Sequence, residues 1–230
     1  MEREIYVIFM AAGSGSRMGG ELPKQFLDLG GRPVLQRTIE KFLECDPGIK
    51  VVTVLPEAYI GYWKDCCLRN NFICPQILVK GGITRFHSVR NALAKVPDGA
   101  LVAVHDGVRP FISADLLSEM FRKARNIPAL IPVLPCIDTI KVLEMRDSAL
   151  RTIPGAKADR SVLYGAQTPQ IFHSEILKEA YQQPFDESFT DDASVVEKNG
   201  KSLSYIIGER LNIKITTQED LILARAILSL

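Results

Sequence analysis

The chain has almost no surplus of either charge: Lys plus Arg number 28 against 27 for Asp plus Glu. A domain that grips nucleic acid needs a clustered basic excess, so that class is excluded and any anion site has to be local. No run of about 18 apolar residues occurs, and Glu2-Arg-Glu4 passes straight into an apolar segment. Neither a membrane span nor a secretory leader is visible, which makes the cytoplasm the expected compartment. Five cysteines are an odd number, adjacent Cys66-Cys67 is poor spacing for metal ligation, and His87, His105 and His173 share no ligand spacing. Reduced, mostly buried thiols are therefore expected, and no zinc site. There is no internal repeat, low-complexity tract or long linker. The 230 residues, 47% hydrophobic and 24% charged, suffice for one domain with a sizeable core.

What is present is a strand that runs into a glycine-rich loop. Ile5-Tyr-Val-Ile-Phe9 is β-branched and aromatic, short, and too continuous for a surface helix, so it reads as a buried strand of a parallel sheet. Met-Ala11-Ala12-Gly13-Ser-Gly15-Ser-Arg17-Met follows, and Pro23-Lys24-Gln25 lies just downstream. Gly13 and Gly15 let the backbone turn and present N–H groups to an anion, while Arg17 and Lys24 add full charges, so the segment reads as a polyphosphate grip. It lacks the third glycine of a dinucleotide fingerprint and the Gly-Lys-Ser/Thr ending of the other common phosphate loop. Joined to Pro-Lys-Gln, it resembles the signature of the sugar-nucleotide nucleotidyltransferases.

Apolar runs then alternate with amphipathic segments. Strands are predicted near 4–10, 50–55, 76–80, 100–105 and 129–133, and helices near 33–45, 58–70, 85–95 and 114–125. This alternation marks an α/β fold, a mostly parallel twisted sheet with helices on both faces. Past Pro135, runs at 137–143 and 150–153 read as a hairpin that projects from the body, followed by a strand at 161–166, a helix near 173–183, a helix to about 199, a strand at 203–207 and a last helix from about 217. Thr216 or Thr217, with Glu219 or Asp220 three residues on, is expected to cap that helix.

Ligands of open parallel sheets bind at the carboxyl ends of the strands, and polar motifs fall there. Gly81-Gly82-Ile-Thr-Arg85-Phe-His-Ser88 follows the third strand, with glycines for close approach of a base or ribose. Val104-His-Asp106-Gly-Val-Arg109-Pro ends the fourth, where Asp106 can organise a metal or a sugar hydroxyl, or pair with Arg109; alternation turns His105 to the other face, as a structural residue. Pro135-Cys-Ile-Asp138-Thr139-Ile-Lys141, Ala158-Asp-Arg160, Gln167-Thr168-Pro-Gln170, Thr190-Asp191-Asp192-Ala-Ser194 and Asn212-Ile-Lys214-Ile-Thr216 complete the set.

In order and over nearly the whole chain, these motifs resemble the 2-C-methyl-D-erythritol 4-phosphate cytidylyltransferases. The resemblance implies a single domain over 1–230 of the Rossmann-like nucleotidyltransferase type, with a β-arm at about 137–156 that reaches into the partner of a homodimer. It implies that Arg17, Lys24 and Lys214 stabilise the transition state, and that Ala11, Ala12, Gly13, Gly15, Gly81, Gly82, Arg85, Ser88 and Asp106 hold CTP. Asp106, Arg109, Thr139, Arg160, Thr168, Thr190 and Lys214 would hold the polyol phosphate, and Thr139 and Arg160, in or near the arm, serve either their own subunit or its partner. Mg²⁺ or another divalent cation is expected on the nucleotide phosphates, with no metal ligand assigned to the protein. Three departures stand out: Ile83 in place of the usual acid after Gly-Gly, Ile137 in place of a polar residue, and Asp106-Gly-Val-Arg in place of Asp-Ala-Ala-Arg. A ribitol 5-phosphate cytidylyltransferase shares several of the motifs, though Thr190-Asp-Asp-Ala-Ser194 and Asp159-Arg160 look more like the methylerythritol enzymes. A non-catalytic nucleotide-binding module would be expected to have lost some of Arg17, Lys24, Asp106 and Lys214.

Overall fold

A computed structural model describes residues 3–13 and 22–229. Strand β1 (Ile5–Met10) lies at its heart, parallel to β2 (Lys50–Leu55) on one side and to β4 (Leu101–Asp106) on the other. The sheet continues past β2 to β3 (Gln76–Lys80), and past β4 to β9 (Gln170–His173), β5 (Ala129–Pro135) and β10 (Ser204–Ile207). Chain direction leaves β1 one way to β2 and the other way to β4, so the crevice between their carboxyl ends is the switch point where such sheets take ligands.

Alternation sorts the side chains to two cores. Val7, Phe9, Leu101 and Ala103 face α1 (Val34–Cys45), α2 (Ile60–Arg69) and α4 (Ala114–Ala124), whereas Ile8, Val102 and Val104 face α3 (Arg85–Leu93), α5 (Ser174–Ala180) and α6 (Asp192–Lys198). Helices thus cover both faces, as expected of strands buried on both sides. A third cluster of Leu29, Val34, Val108, Ile215 and Leu221 docks α7 (Gln218–Leu228) beneath the carboxyl end of β4. The helix caps follow sequence chemistry: Ser113 Oγ accepts from Leu116 N at 3.0 Å, and Thr217 with Asp220 forms the capping box of α7. Among the described residues no helix is long and apolar enough to cross a membrane.

Several expectations need correction. The run read as 137–143 is not the first strand of the hairpin; β6 is Leu143–Arg146 and pairs with β7, Ala149–Thr152. The tight turn is Asp147-Ser148, with φ of 51° and 60°. Asp and Ser tolerate the left-handed region that a two-residue hairpin turn requires, so the polar sequence hid strand rather than loop. The strand at 161–166 is only β8, Tyr164–Ala166, after a 3₁₀ turn at Arg160–Val162, and the helix near 173–183 is α5 alone. Strand β9, Gln170–His173, has no counterpart among the strands that the sequence predicts. Four residues starting with Gln170 show no periodicity, yet β9 runs antiparallel between β4 and β5, with Gln170, Ile171 and Phe172 buried. Of the five thiols only Cys66 is buried; the other four are partly exposed.

Candidate active site

The register of β1 on β4 sets Met10 beside Asp106, so the loop after β1 and the end of β4 open into one space. That loop is pinned from behind: buried Gln25 donates through Nε2 to Ala11 O at 2.7 Å and to Gly13 O at 3.2 Å. Gln25 sits in the 3₁₀ turn Lys24–Phe26. Phe26 anchors the turn, stacked on Tyr59 at 5.6 Å and packed on Trp63 at 6.1 Å. Lys24 is thereby delivered to the cleft on a fixed base.

The opposite wall is the turn from β3 into α3. A Cβ on Gly81 would meet Ala12 Cβ at 2.6 Å and one on Gly82 would meet His87 Cβ at 2.5 Å, so neither position has room for a side chain. Ser88 Oγ accepts from Gly82 N at 2.9 Å and donates to Thr84 O at 3.0 Å, which shapes the turn. The cleft between the two walls holds about 510 Å³, within the range of small-molecule sites.

Its floor is charged. Arg109 Nε donates to Asp106 Oδ2 at 2.9 Å and Lys214 Nζ to Oδ1 at 3.2 Å. Burial alone would raise the pKa of Asp106, but the cations of Lys214, Arg109 and Arg85 outweigh it and hold the carboxyl well below the usual carboxylate range. Lys214 reaches this point because Ile215 N bonds Val108 O at 3.0 Å, which ties the 212–216 segment to the turn after β4. Behind Asp106, His105 Nε2 lies 3.1 Å from Arg109 O, a group that only accepts, so Nε2 carries the proton. Thr168 Oγ1 then donates to Nδ1 over 3.0 Å and accepts from Asp106 N, also at 3.0 Å. Burial drives the His105 pKa down to about 4, which keeps the ring neutral.

A family model for 2-C-methyl-D-erythritol 4-phosphate cytidylyltransferase matches residues 5–230. The chain belongs to this family. A cytidylyltransferase of that name from Phocaeicola vulgatus is 45% identical over 97% of this chain and 99% of its own, and one from Porphyromonas gingivalis strain W83 is 43% identical over the full length of both. The crystal structure of 4-diphosphocytidyl-2C-methyl-D-erythritol synthase from Anaerococcus prevotii superposes with a TM-score of 0.79 at 30% identity, covering 99% of this chain and 97% of that one. The α/β nucleotidyltransferase fold follows from these together.

Against what the family resemblance implies, the chain brings Ala11, Ala12, Gly13, Lys24, Gly82, Arg85, Ser88, Asp106 and Lys214 together around the cleft. Gly81 backs it against Ala12. Gly15 and Arg17 lie outside the described residues. Arg109 stands behind Asp106, its Nη1 spent on Asn212 O at 2.8 Å. Thr168 is buried, and its hydroxyl is taken by Asp106 N and His105 rather than lining the cleft. Thr139, Arg160 and Thr190 are exposed and do not line it either; Arg160 Nη1 bonds Ile137 O at 2.8 Å at the root of the arm. Arg85, expected on the nucleotide, makes a two-pronged ion pair with Asp192. Ile83 sits on the cleft rim, 96% exposed. Two residues that position the site were not singled out: Gln25, visible only as the last letter of Pro-Lys-Gln, and Asn212, whose Nδ2 clips Thr168 O at 2.9 Å. Among the described residues no group of three or more His, Cys, Asp and Glu is arranged to hold a metal.

Proposed function

We propose that the protein transfers the cytidylyl group from CTP to 2-C-methyl-D-erythritol 4-phosphate, releasing pyrophosphate, as a single catalytic domain with the arm at about 137–156. The observation that carries this reading is the Lys214–Asp106 pair, which is braced from behind by Arg109 and lines one cleft with Lys24 and the close-approach glycine Gly82. An oxygen of the substrate's phosphate monoester attacks the α-phosphorus in line; that P–O bond forms as the α–β bridge bond breaks, and the electron pair leaves with pyrophosphate. The attacking oxygen is already anionic, so no side-chain nucleophile or general base is needed. The work left to the protein is positioning and charge stabilisation. Lys24 and Lys214, with Arg17, offset the charge that develops on the phosphoryl oxygens.

Asp106, the one carboxylate among the described lining residues, is an oxygen donor suited to Mg²⁺, but its charge is already met by Lys214 and Arg109, so the ion would be held mainly by the nucleotide phosphates. When bound there, Mg²⁺ would neutralise the triphosphate and favour departure of pyrophosphate. Cytosine would be read by backbone groups around Ala11, Ala12 and Gly81-Gly82, where uracil would present the reverse donor and acceptor.

The arm supports a homodimer: Met145 and Leu150 on β6 and β7 are 69% and 66% exposed, an apolar surface suited to a second subunit. Thr139 and Arg160 at its root would complete a polyol-phosphate site with Thr190, in the cytoplasm. Pyrophosphate release measured with each of the four nucleoside triphosphates, and with methylerythritol 4-phosphate or ribitol 5-phosphate, tests the reading. Turnover is expected with CTP and methylerythritol 4-phosphate. Comparable kcat/KM for UTP, ATP or ribitol 5-phosphate overturns it.

A further inference from the structure

Arg85 opens α3 on the wall of the cleft, where a cation would ordinarily be assigned to phosphate. Its fork is already filled. Nη1 donates to Asp192 Oδ1 at 3.0 Å and Nη2 donates to Oδ2, the two-pronged geometry in which a guanidinium binds carboxylate most strongly. Asp192 is 0% exposed and takes a third hydrogen bond, from the Tyr181 hydroxyl at 2.6 Å. The Tyr181 ring in turn stacks on Phe86, next to Arg85, with centroids 4.7 Å apart.

Asp192 is the first residue of α6, two positions after Thr190. The stretch between them is tied down from other sides. Ser194 Oγ accepts from Thr190 N at 3.1 Å and from Asp191 N at 3.2 Å. Buried Gln170 on β9 donates to Asp191 Oδ2 at 2.7 Å and accepts from Ala193 N at 2.8 Å. The start of α6 is therefore held to the central sheet by Gln170 and to the nucleotide wall by Arg85. For stability alone, a buried ion pair does no better than apolar side chains of similar volume. What the pair adds is one defined arrangement of two donors on two acceptors.

We infer that Arg85 is a positioning residue for the second substrate: its ion pair with Asp192, completed by Tyr181, fixes the segment carrying Thr190 against the nucleotide turn at Gly82 to Ser88. The inference rests on the assignment of Thr190 to the polyol phosphate under the proposed function. Arg85 acts through Asp192 and not by touching phosphate, so its loss is felt by one substrate and not by the other.

The test replaces the trio by apolar groups of similar size, Arg85→Met with Asp192→Leu and Tyr181→Phe, which removes the pair without leaving a buried charge or hydroxyl unpartnered. The expected result is a Tm within a few degrees of wild type, a KM for methylerythritol 4-phosphate raised about tenfold or more, and a KM for CTP within about twofold. Amide exchange at Thr190 to Ser194 is expected to quicken about tenfold. A folded variant with wild-type kinetics and exchange would mean the pair is only structural. A rise confined to the KM for CTP would put Arg85 on the nucleotide; either outcome overturns the inference. If the triple variant does not fold, Tyr181→Phe alone decides, with about a threefold rise in the polyol-phosphate KM expected and no change overturning it. Wild-type protein that releases no pyrophosphate from CTP and methylerythritol 4-phosphate refutes the proposed function, whereas the exchange measurement still judges the strut.

Discussion

Lys24 owes its place to its two neighbours. Gln25 is fastened to the carbonyls of Ala11 and Gly13, and Phe26 is wedged among Tyr59, Tyr62 and Trp63. A lysine carried on so fixed a turn is preorganised for charge that develops at a phosphoryl group, and removing one such charge typically costs about 10²–10³ in turnover. Lys24→Ala is therefore expected to lower kcat by about that factor, with a melting temperature close to wild type, because Gln25 and Phe26, which anchor the turn, are unchanged. Near-normal turnover in a folded variant would reduce Lys24 to a surface lysine. Asp106 shows the complementary case, a carboxylate whose neighbours were all legible in sequence while their order of contact was not. A turn-stiffening pair with Asp106 was readable for Arg109 alongside a role as substrate ligand, and the 2.9 Å ion pair supplies the stiffening contact.

The junction of β4 with β9 is where the elements themselves respond to acid. His105 on β4 is clasped by Thr168, which leads into β9, and by the carbonyl of Arg109. Burial holds its pKa down at about 4, against an ordinary value near 6.5 for an unfolded chain. The unfolded state thus takes up a proton first as pH falls. The stability this ring contributes is complete above about pH 6.5 and drains away toward pH 4, by an amount on the order of 3 kcal/mol. The carboxyl of Asp106 is shifted down, so its own contribution is lost only below about pH 4, after that window. Urea midpoints measured from pH 7 to pH 4.5 should fall in the wild type and fall much less in His105→Gln; parallel profiles would show that the buried ring is not the titrating group.

The same junction explains what the sequence could and could not disclose. Strands β1, β2 and β4 are short, mainly apolar runs rich in β-branched residues and were legible as such. β9 has four residues, begins with glutamine and follows a proline, so nothing local distinguishes it from loop, and only its burial between β4 and β5 makes it a strand. Cleft residues at strand ends were legible because a parallel sheet dictates where ligands bind. The pairing of Arg85 with Asp192, 107 positions away, was not, because no local rule links the start of α3 to the start of α6.

At the scale of the whole molecule, the cleft and the arm are separate provinces. Lys24, Asp106 and Lys214 gather around the cleft, while Arg160 and Thr139 stand exposed at the root of a hairpin with apolar side chains in solvent. If the arm crosses to a second subunit, two dead proteins can rebuild one live site. Lys24→Ala and Arg160→Ala are each expected to be inactive alone, whereas their heterodimer should recover about half of wild-type activity, since one site would draw both intact residues and the other neither. Arg160 suits this experiment better than Thr139 because losing a charge-assisted contact costs more than losing a neutral hydroxyl. A heterodimer verified by mass with no gain over its parents would assign Arg160 to its own subunit.

The aromatic wedge beneath Lys24 has an optical side. Trp63 is the chain's one tryptophan, buried on α2 with its indole N–H 3.1 Å from Gln76 Oε1 and its ring 6.1 Å from Phe26. All indole emission therefore comes from a single point directly behind the turn that carries Lys24 and Gln25. The molecule has a native fluorophore seated at the back of the Lys24–Phe26 turn, and if CTP binds as proposed, a shift of that turn has one place in the emission spectrum to register, with no label added and no second indole to dilute it.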